Sequence, residues 1–247
     1  MQGFELESQG WFREARNHRY ENYAPWLKNA AGLAEIKRKD VLEIGVGLGS
    51  DHHLLAKLGN RMTGLDLSRE HLRLTNKHLR HEGFGSRLVH GDMENMPFSD
   101  ESFDVIYSFG VLHHTDSMEQ AAREIWRVLR PGGKIIVSVY HLWSFYFLAG
   151  IFFYQGLLQG GFFLHGWKRT LARIEAGAGT NYVPIVRVLS RNQLRRLFVQ
   201  AENIHISCHH ISNRFLQRTF GPWRCEKMFK NLGWYLLLTA YKPIRQF

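Results

Sequence analysis

A glycine-rich turn at residues 45–50 constrains the fold of this chain more than any other stretch. Residues 41–44 form a short apolar run interrupted by one acid, Glu43, which is typical of a buried parallel strand. Three alternating glycines follow the run: Gly45, Gly47 and Gly49. Glycine is required where a ligand approaches the main chain or where φ is positive, and residues 51–58 then resume a helical pattern whose first N–H groups can bind that ligand. The stretch predicts a strand, a turn and a helix that together hold a small cofactor.

The spacing of the glycines distinguishes between two kinds of cofactor. The dinucleotide pattern is G-x-G-x-x-G, whereas the sixth position counted from Gly45 is Ser50. Glu43 instead fits the pattern E/D-x-G-x-G-x-G. A carboxylate at the end of this strand suits a ligand with an ammonium or sulfonium charge better than one with a pyrophosphate. At these residues the chain resembles the class I S-adenosylmethionine-dependent methyltransferases.

Acids also close the next two predicted strands. Residues 61–66 end in Asp66, about 20 residues beyond the turn, where doubly wound folds bind ribose hydroxyls. Ser68 is the better cap for the helix predicted over 69–81, which leaves Asp66 for the ribose. Residues 87–93 form a third strand that contains Asp92. The resemblance implies that Asp92 accepts a hydrogen bond from the adenine amino group and that the N–H of the next residue meets the ring; it adds the cofactor-binding residues Leu67, Met93 and Ser108.

Two longer strings are typical of the same family. Residues 91–106 read G-D-x-x-x-x-P-F-x-x-x-x-F-D-V-I and lead into a fourth strand over 103–109, and residues 129–138 read L-R-P-G-G-K-I-I-V-S. Between them, Ser117 and Gln120 form a capping box that begins a helix, and a fifth strand is predicted over 135–140. The resemblance implies a Rossmann-like three-layer α/β sandwich with a seven-stranded, mostly parallel sheet. It also implies S-adenosylmethionine as cofactor and S-adenosylhomocysteine as product.

Four parts are predicted along the chain: an N-terminal helical lid over 1–40, the cofactor-binding core over 41–140, an apolar cap over 141–189, and the completion of the sheet over 190–247. The last part is expected to hold a capped helix from Ser190 and strands over 203–211 and 234–241. In the resembling family the segment before the first strand folds over cofactor and substrate. The candidates for this lid and for substrate contact are aromatic: Trp11, Tyr20, Tyr23 and Tyr140. Alternatively, the aromatics of the first segment simply pack its helices onto the sheet.

The first part of the apolar cap is uncharged, since the chain has no Asp, Glu, Lys or Arg from 135 to 167. A spanning helix needs roughly 20 apolar residues, and glycines and glutamines interrupt this stretch. We expect a helical roof over the acceptor pocket. Two alternatives are a peripheral membrane contact through 144–169, helped by the basic residues that follow it, and a homodimer contact.

Histidines at two strand tips are the candidates for catalysis. His113 and His114 follow the fourth strand and His141 follows the fifth. Histidine can act as a general base near neutral pH if the acceptor must lose a proton. The alternative is that one of the paired histidines packs inward while the other donates to a loop carbonyl.

The charge balance of 32 Lys and Arg against 22 Asp and Glu gives a formal net charge of +10. This favours an anionic partner, but the basic residues are scattered, which is typical of solvated faces. No metal is expected, because the two cysteines, Cys208 and Cys225, form no C-x-x-C motif and the histidines lack metal-ligand spacing. The absence of a signal-like N-terminus predicts a cytoplasmic protein, with a membrane-peripheral location as the alternative.

The expected activity is methyl transfer to an O, N or C atom of a small, partly apolar metabolite. One alternative is a tRNA or RNA methyltransferase, which is supported only by the basic net charge. The others are a membrane-associated lipid or quinone methyltransferase and a cofactor-binding subunit without turnover.

Overall fold

The computed structural model describes residues 4–175, 184–210, 224 and 228–244, and a seven-stranded sheet organises them. The strands are β1 Asp40–Ile44, β2 Arg61–Asp66, β3 Arg87–His90, β4 Phe103–Phe109, β5 Leu129–Tyr140, β6 Glu202–His209 and β7 Tyr235–Tyr241. Their order in the sheet is β3-β2-β1-β4-β5-β7-β6. The first five strands pair in parallel, and β7 runs antiparallel to both of its neighbours. The prediction of a seven-stranded, mostly parallel sheet is confirmed.

Helices connect the strands and precede the sheet. They are α1 Gln9–Asn17, α2 Leu27–Ala30, α3 Ser50–Lys57, α4 Arg69–His81, α5 Met118–Val128, α6 Gly161–Ala172 and α7 Arg191–Leu197. Wider π-type turns extend α1 over His18–Tyr23 and form a separate helix at Tyr146–Leu158. The serine caps are as predicted, since Ser68, Ser117 and Ser190 each accept from a backbone N–H in the first turn of α4, α5 and α7.

The core has two parts because successive side chains of a strand point to opposite faces of the sheet. On one face Leu42, Ile106 and Val137 belong to a buried cluster that includes residues of α5 and α7. On the other face Val41, Val105 and Ile136 belong to a cluster that includes residues of α2, α3, α4 and the Tyr146–Leu158 helix. The result is the expected three-layer sandwich.

Two strands, β5 and β3, have a boundary at least three residues from the predicted one. β5 begins at Leu129 instead of residue 135, because Leu129 pairs with Phe103 before the register shifts and resumes at Lys134 opposite Val105. The R-P-G-G stretch is therefore an irregular part of the strand. The third strand ends at His90, and the chain turns there, with Gly91 N–H donating to Asp66 O at 3.2 Å.

The segment after β5 is helical, as predicted, and consists of the Tyr146–Leu158 helix followed by α6. Among the described residues, no helix combines the length and the apolar character that crossing a membrane requires. Residues 176–183 of the predicted cap, and most of 211–227 including Cys225, lie outside the described residues.

Candidate cofactor and acceptor site

The turn between β1 and α3 has the backbone that its glycines predict. The φ angles of Gly45, Gly47 and Gly49 are 80°, 52° and 74°, a region that other residues rarely adopt. A Cβ at Gly45 would lie 2.2 Å from Val111 Cγ2, so the loop after β4 requires a bare backbone there. A Cβ at Gly47 would meet nothing within 4 Å. It would instead project into the open space beside the turn, where a ligand can contact the main chain.

A cavity of about 410 Å³ lies at the carboxyl ends of β1, β2, β3 and β4. This is where ligands bind in open α/β sheets. The cavity brings together seven residues predicted from the sequence: Gly45, Gly47, Asp66, Leu67, Asp92, Met93 and His114. Apolar side chains of β1, β2 and the loop after β4 complete its wall, among them Ile44, Leu65 and Val111.

Asp66 lies at the end of β2, on the wall of the cavity. Its Oδ1 accepts from Ser68 N–H at 2.8 Å, and its Oδ2 lies 3.4 Å from Gly47 N and 3.3 Å from His71 Nδ1. Partial burial opposes ionisation of Asp66, but the bonds from His71 and Ser68 outweigh it and hold its pKa below the usual range. Asp66 is therefore an anion with acceptor capacity toward the cavity.

A second cavity of about 300 Å³ adjoins the first, with Gly45, Gly47 and Phe109 in the walls of both. Its other walls come from the segment before the sheet, through Arg19 and Tyr23, and from Glu43 and Asp51. Tyr23, a candidate for the predicted lid, therefore lines this second cavity. Tyr23 also packs on the sheet, since its hydroxyl shares a hydrogen bond with that of Tyr235.

The first turn of α3 is tied to the segment before the sheet by a buried ion pair. Asp51 accepts from Arg19 Nη2 at 2.5 Å and from the hydroxyls of Tyr20 and Tyr107, both at 2.7 Å. Burial opposes the charge on Asp51, but Arg19 and these bonds hold its pKa below the usual range. Sequence reasoning missed Arg19 and Asp51. An acid in the first turn of the helix after a glycine turn is favoured by the helix dipole and is the signal that could have indicated Asp51.

Glu43 is nearly inaccessible, at 3% exposure, and its Oε2 lies 2.8 Å from His52 Nδ1. Burial and the nearby charge of Asp51 raise the pKa of Glu43 well above its usual range. The carboxyl group of Glu43 is thus hydrogen-bonded to His52. Of the two cavities, Glu43 lines the second and not the first.

The paired histidines after β4 have different environments. His113 is fully buried, its ring lies 4.0 Å from that of Tyr140, and neither of its nitrogens has a partner among the described residues. Burial, with His114 adding to it, lowers the pKa of His113 well below its usual range. His114 lines the main cavity and its Nδ1 lies 2.6 Å from Ile185 O. Since a carbonyl only accepts, Nδ1 of His114 carries a proton, and Nε2 is the ring nitrogen that this hydrogen bond leaves open.

The structure does not bring the other predicted residues to the main cavity. His141 is buried against Gly233 O at 3.0 Å, Ser108 is fully buried within β4, and Trp11 packs on Phe12. Gly49 lies against Thr75, and the hydroxyl of Tyr20 donates a hydrogen bond to Asp51. Tyr140 stacks on Trp234 and donates its hydroxyl to Glu175. The start of β7 covers the end of β5, because Tyr140 pairs with Tyr235 and the N–H of His141 donates to Trp234 O. This pairing explains the positions of Tyr140 and His141.

One cluster of metal-ligand type occurs in the described part of the chain. Ligand atoms of His113, His114 and Glu175 lie within 4.8 Å of one another, and His114 Nε2 is 3.8 Å from Glu175 Oε1. That carboxylate oxygen already accepts from the Tyr140 hydroxyl. No sequence pattern predicts this grouping, because Glu175 is more than 60 residues from the two histidines along the chain.

Comparison with known proteins agrees with this architecture. Residues 42–137 match the methyltransferase domain family. The chain is 35% identical to the sterol 4-C-methyltransferase of Caenorhabditis elegans over 98 residues, which are 39% of this chain and 29% of that protein. It is 38% identical to a phthiotriol/phenolphthiotriol dimycocerosates methyltransferase of Mycobacterium ulcerans over 106 residues, 42% of this chain and 38% of the relative. The matched part thus spans about a third of these relatives' own length.

A solved S-adenosylmethionine-dependent methyltransferase from Methanosarcina mazei has the same fold. Its TM-score is 0.62 at 18% identity, and the superposition covers 85% of this chain and 94% of that one. Residues 42–137 thus match a methyltransferase domain, and the glycine turn, Asp66 and Asp92 all lie within the matched part. The family match ends within β5.

Proposed function

We propose that this protein is an S-adenosylmethionine-dependent methyltransferase that methylates an O, N or C atom of a small, partly apolar metabolite. The observation that carries the proposal is the cavity at the strand ends, where the glycine turn, Asp66 and Asp92 face one space. A family match to residues 42–137 supports the same conclusion. Function resides in the site more than in the fold, so the cofactor has to fit these particular residues.

The residues fit S-adenosylmethionine in three places. Gly47 leaves open space where a side chain would stand, Asp66 offers an ionised carboxylate to the ribose hydroxyls, and Asp92 with the N–H of Met93 is suited to adenine. Arg19, beside the glycine turn in the second cavity, offers a cation to the carboxylate of the amino-acid part. Arg19 keeps its charge although it is largely buried, because Asp51 raises its pKa.

When bound, the cofactor supplies an activated methyl group on a sulfonium. The chain's own residues then have to bind the acceptor, orient it and keep water away, since positioning contributes most in such a displacement. His114 is the histidine suited to accept a proton from an acceptor, because its ring lines the cavity and Ile185 O engages its Nδ1 rather than its Nε2. His113 is suited only to packing, since both of its nitrogens are buried.

The acceptor class follows from the wall of the cavity and from the relatives. Among the cavity residues that are not assigned to the cofactor, Phe109 and Val111, at and just after the end of β4, are apolar. One relative is named for a sterol, an apolar acceptor, and a second for phthiotriol and phenolphthiotriol dimycocerosates. We infer that the acceptor is hydrocarbon-rich. This inference takes in the membrane-associated lipid or quinone alternative, whereas an RNA acceptor gains no support from this wall.

The test is calorimetric titration with S-adenosylmethionine and S-adenosylhomocysteine on the wild type and Asp66→Ala. We expect wild-type binding and a loss of roughly tenfold to a hundredfold in affinity for Asp66→Ala, since hydrogen bonds to a charged group are removed. Asp100→Ala removes an exposed carboxylate that pairs only at the surface with Arg127 and is the matched control. Melting temperatures show whether each variant is folded.

Binding of both ligands then justifies incubation with labelled S-adenosylmethionine and sterol, lipid or RNA fractions, with His114→Ala as a second variant. We expect label in the apolar fraction and a lower rate for His114→Ala. Failure of the wild type to bind either ligand, with NAD raising its melting temperature instead, would contradict the proposal. Label found in the RNA fraction alone would mean that the acceptor is RNA and not an apolar metabolite, and it would leave the proposed cofactor unchanged.

A further inference from the structure

The segment after β5 exposes an unusual amount of apolar surface. Of the described residues, eighteen large apolar side chains are exposed, and ten of these lie between 143 and 167. We call these ten the apolar face: Trp143, Phe145, Phe152, Phe153, Tyr154, Leu157, Leu158, Phe163, Leu164 and Trp167. Phe163 is 85% exposed, Leu164 is 72% exposed and Leu158 is 66% exposed. Exposed apolar side chains concentrated in one segment of a folded protein indicate an interaction site.

The apolar face is held on a packed base. Beneath it, Phe147 and Ile151 of the Tyr146–Leu158 helix and Leu171 of α6 are at most 3% exposed and belong to the core cluster of that side of the sheet. Ring contacts join the two helices, because Phe152 lies 5.4 Å from Phe162, which lies 5.2 Å from Trp167. The exposed side chains are therefore the outer surface of an anchored helical pair.

The face is near the site but outside its walls. The helical pair follows the carboxyl end of β5, and the main cavity lies at the carboxyl ends of β1 to β4, which run parallel to β5. Among the described residues, none from 141 to 175 lines the main cavity. The expected roof is thus a surface beside the cavity's edge of the sheet.

Basic residues follow the apolar face directly. Lys168 and Arg169 on α6 and Arg173 after it are all exposed. Gly166, with φ 74° and ψ 169°, breaks α6 between the apolar Phe163 and Leu164 and these cations. No Asp or Glu occurs between Glu124 and Glu175. Tryptophan and tyrosine are enriched at the interface between the hydrocarbon and the headgroups of a bilayer. Lysine and arginine are attracted to anionic headgroups.

We propose that the apolar face docks this protein on an anionic lipid bilayer. Trp143, Phe153, Phe163 and Leu164 enter the acyl boundary, while Lys168, Arg169 and Arg173 contact the headgroups. Charge decides against a second copy as the occupant, because a two-fold contact places the same patch on both sides. The cations would then face their own copies, since Glu175, the acid nearest to them along the chain, is engaged by Tyr140 and His114. The proposal goes beyond the methylation chemistry, and vesicle binding is measurable without any acceptor.

The test is co-sedimentation of the full chain with two kinds of vesicle, one of phosphatidylcholine and one of an equimolar mixture with phosphatidylglycerol. We expect binding to the mixed vesicles that weakens with salt and is weaker on phosphatidylcholine alone. Phe153→Ser/Phe163→Ser/Leu164→Ser abolishes it. The control Leu6→Ser/Ile185→Ser/Val199→Ser changes three exposed apolar residues elsewhere and keeps binding.

The charges are tested by Lys168→Gln/Arg169→Gln, which we expect to weaken binding to mixed vesicles roughly tenfold to thirtyfold. Arg195→Gln/Arg196→Gln on α7 is the matched control and keeps it. Quenching of tryptophan fluorescence by bromine-labelled acyl chains, lost in Trp143→Phe/Trp167→Phe, reports insertion of the face itself. Melting temperature and S-adenosylmethionine binding show that each variant is folded, so a failed cofactor assay and a failed vesicle assay remain distinguishable.

Three results would overturn the proposal. If the wild type stays in solution with both kinds of vesicle, the apolar face does not dock on lipid. A serine triple variant that binds as the wild type does places the contact elsewhere. Sedimentation equilibrium that shows a dimer, dissociated by the serine variant, without vesicle binding assigns the face to a second copy.

Discussion

Asp51 is the residue on which the segment before the sheet depends. Its carboxylate accepts four hydrogen bonds, two from Arg19 and one each from Tyr20 and Tyr107, and the pair is largely removed from water. Asp51→Asn leaves a buried arginine without its counter-charge, a change that costs about 3–5 kcal/mol in comparable buried pairs. We expect a fall of that size in the free energy of unfolding, measured by urea denaturation.

The matched substitution is Glu70→Gln, which removes an exposed carboxylate that pairs with Arg73 one turn along α4. Surface pairs of this kind contribute little, and we expect its unfolding curve to overlay that of the wild type. An Asp51→Asn variant as stable as Glu70→Gln would mean that water reaches Arg19 freely.

At the scale of single residues, the sequence predicts the part of the site that is local. Gly47, Asp66 and Asp92 line one cavity because each lies at the end of a parallel strand, and parallel strands end at one edge of the sheet. Arg19 and Glu175 are not predicted, since tertiary packing alone brings them to Asp51 and His114. The alternative considered for the histidines is the one the structure has: His113 packs inward and His114 donates to a carbonyl.

At the scale of elements, the turn between β1 and α3 can be tested by a pair of glycines. Gly45 and Gly59 share a φ of 80°, but a Cβ at Gly59 meets nothing within 4 Å, whereas one at Gly45 lies 2.2 Å from Val111 Cγ2. Gly59→Ala therefore carries only the backbone strain of about 1–2 kcal/mol. Gly45→Ala carries that strain and also displaces the loop after β4.

We expect Gly45→Ala to lose S-adenosylmethionine affinity by roughly tenfold or more, because a displacement of that loop perturbs the cavity wall. Gly59→Ala should bind as the wild type does, since its turn lies between α3 and β2. Calorimetric titration measures both. Equal affinities for the two variants would show that Val111 yields without disturbing the site.

Elements with strong local signals are predicted well, and their arrangement is predicted less well. The apolar runs and serine caps fix the positions of β1, β2, β4, α4 and α5 to within a residue or two. The sequence does not show that β7 inserts between β5 and β6, because strand order depends on pairings between residues far apart in the chain, such as Tyr140 with Tyr235. The early start of β5 has the same origin, since Leu129 is extended only through its pairing with Phe103.

At the scale of the whole molecule, the cavity and the helical pair that carries the apolar face are connected to the same edge of the sheet. Both lie beyond the carboxyl ends of parallel strands. An acceptor rich in hydrocarbon partitions into a bilayer, so docking there would raise its concentration beside the cavity. The net charge of +10 favours approach to an anionic surface from a distance. The two proposals thus support each other physically, although each has its own assay.

The stability of the whole molecule should fall in mild acid because buried histidines stay neutral in the folded state. His78 donates from Nδ1 to Leu48 O in the glycine turn and accepts from Arg16 at Nε2, and it faces His53 and Glu82. Burial lowers its pKa to about 4, and burial likewise lowers the pKa of His52 to about 3. An unfolded chain protonates these side chains near pH 6.5. Between pH 6.5 and about 4 the unfolded state therefore binds more protons, and the free energy of unfolding falls as the pH falls. Above pH 6.5 both states are neutral and the contribution to the slope vanishes.

The raised pKa of Glu43 acts in the opposite direction, because the folded state then holds a proton that the unfolded state has lost. A single-residue comparison separates these contributions. His78→Gln keeps a donor for Leu48 and an acceptor for Arg16 but cannot titrate, so we expect its slope to be shallower by at most about 1.4 kcal/mol per pH unit. His205→Gln, at an exposed position of β6, is the matched control for the substitution. The measurement is urea denaturation of the three proteins at intervals from pH 7 to pH 4.5. Parallel curves for wild type and His78→Gln would show that the folded protein protonates His78 as readily as the unfolded chain does, and that the contact between α1 and the glycine turn opens in acid before the fold is lost.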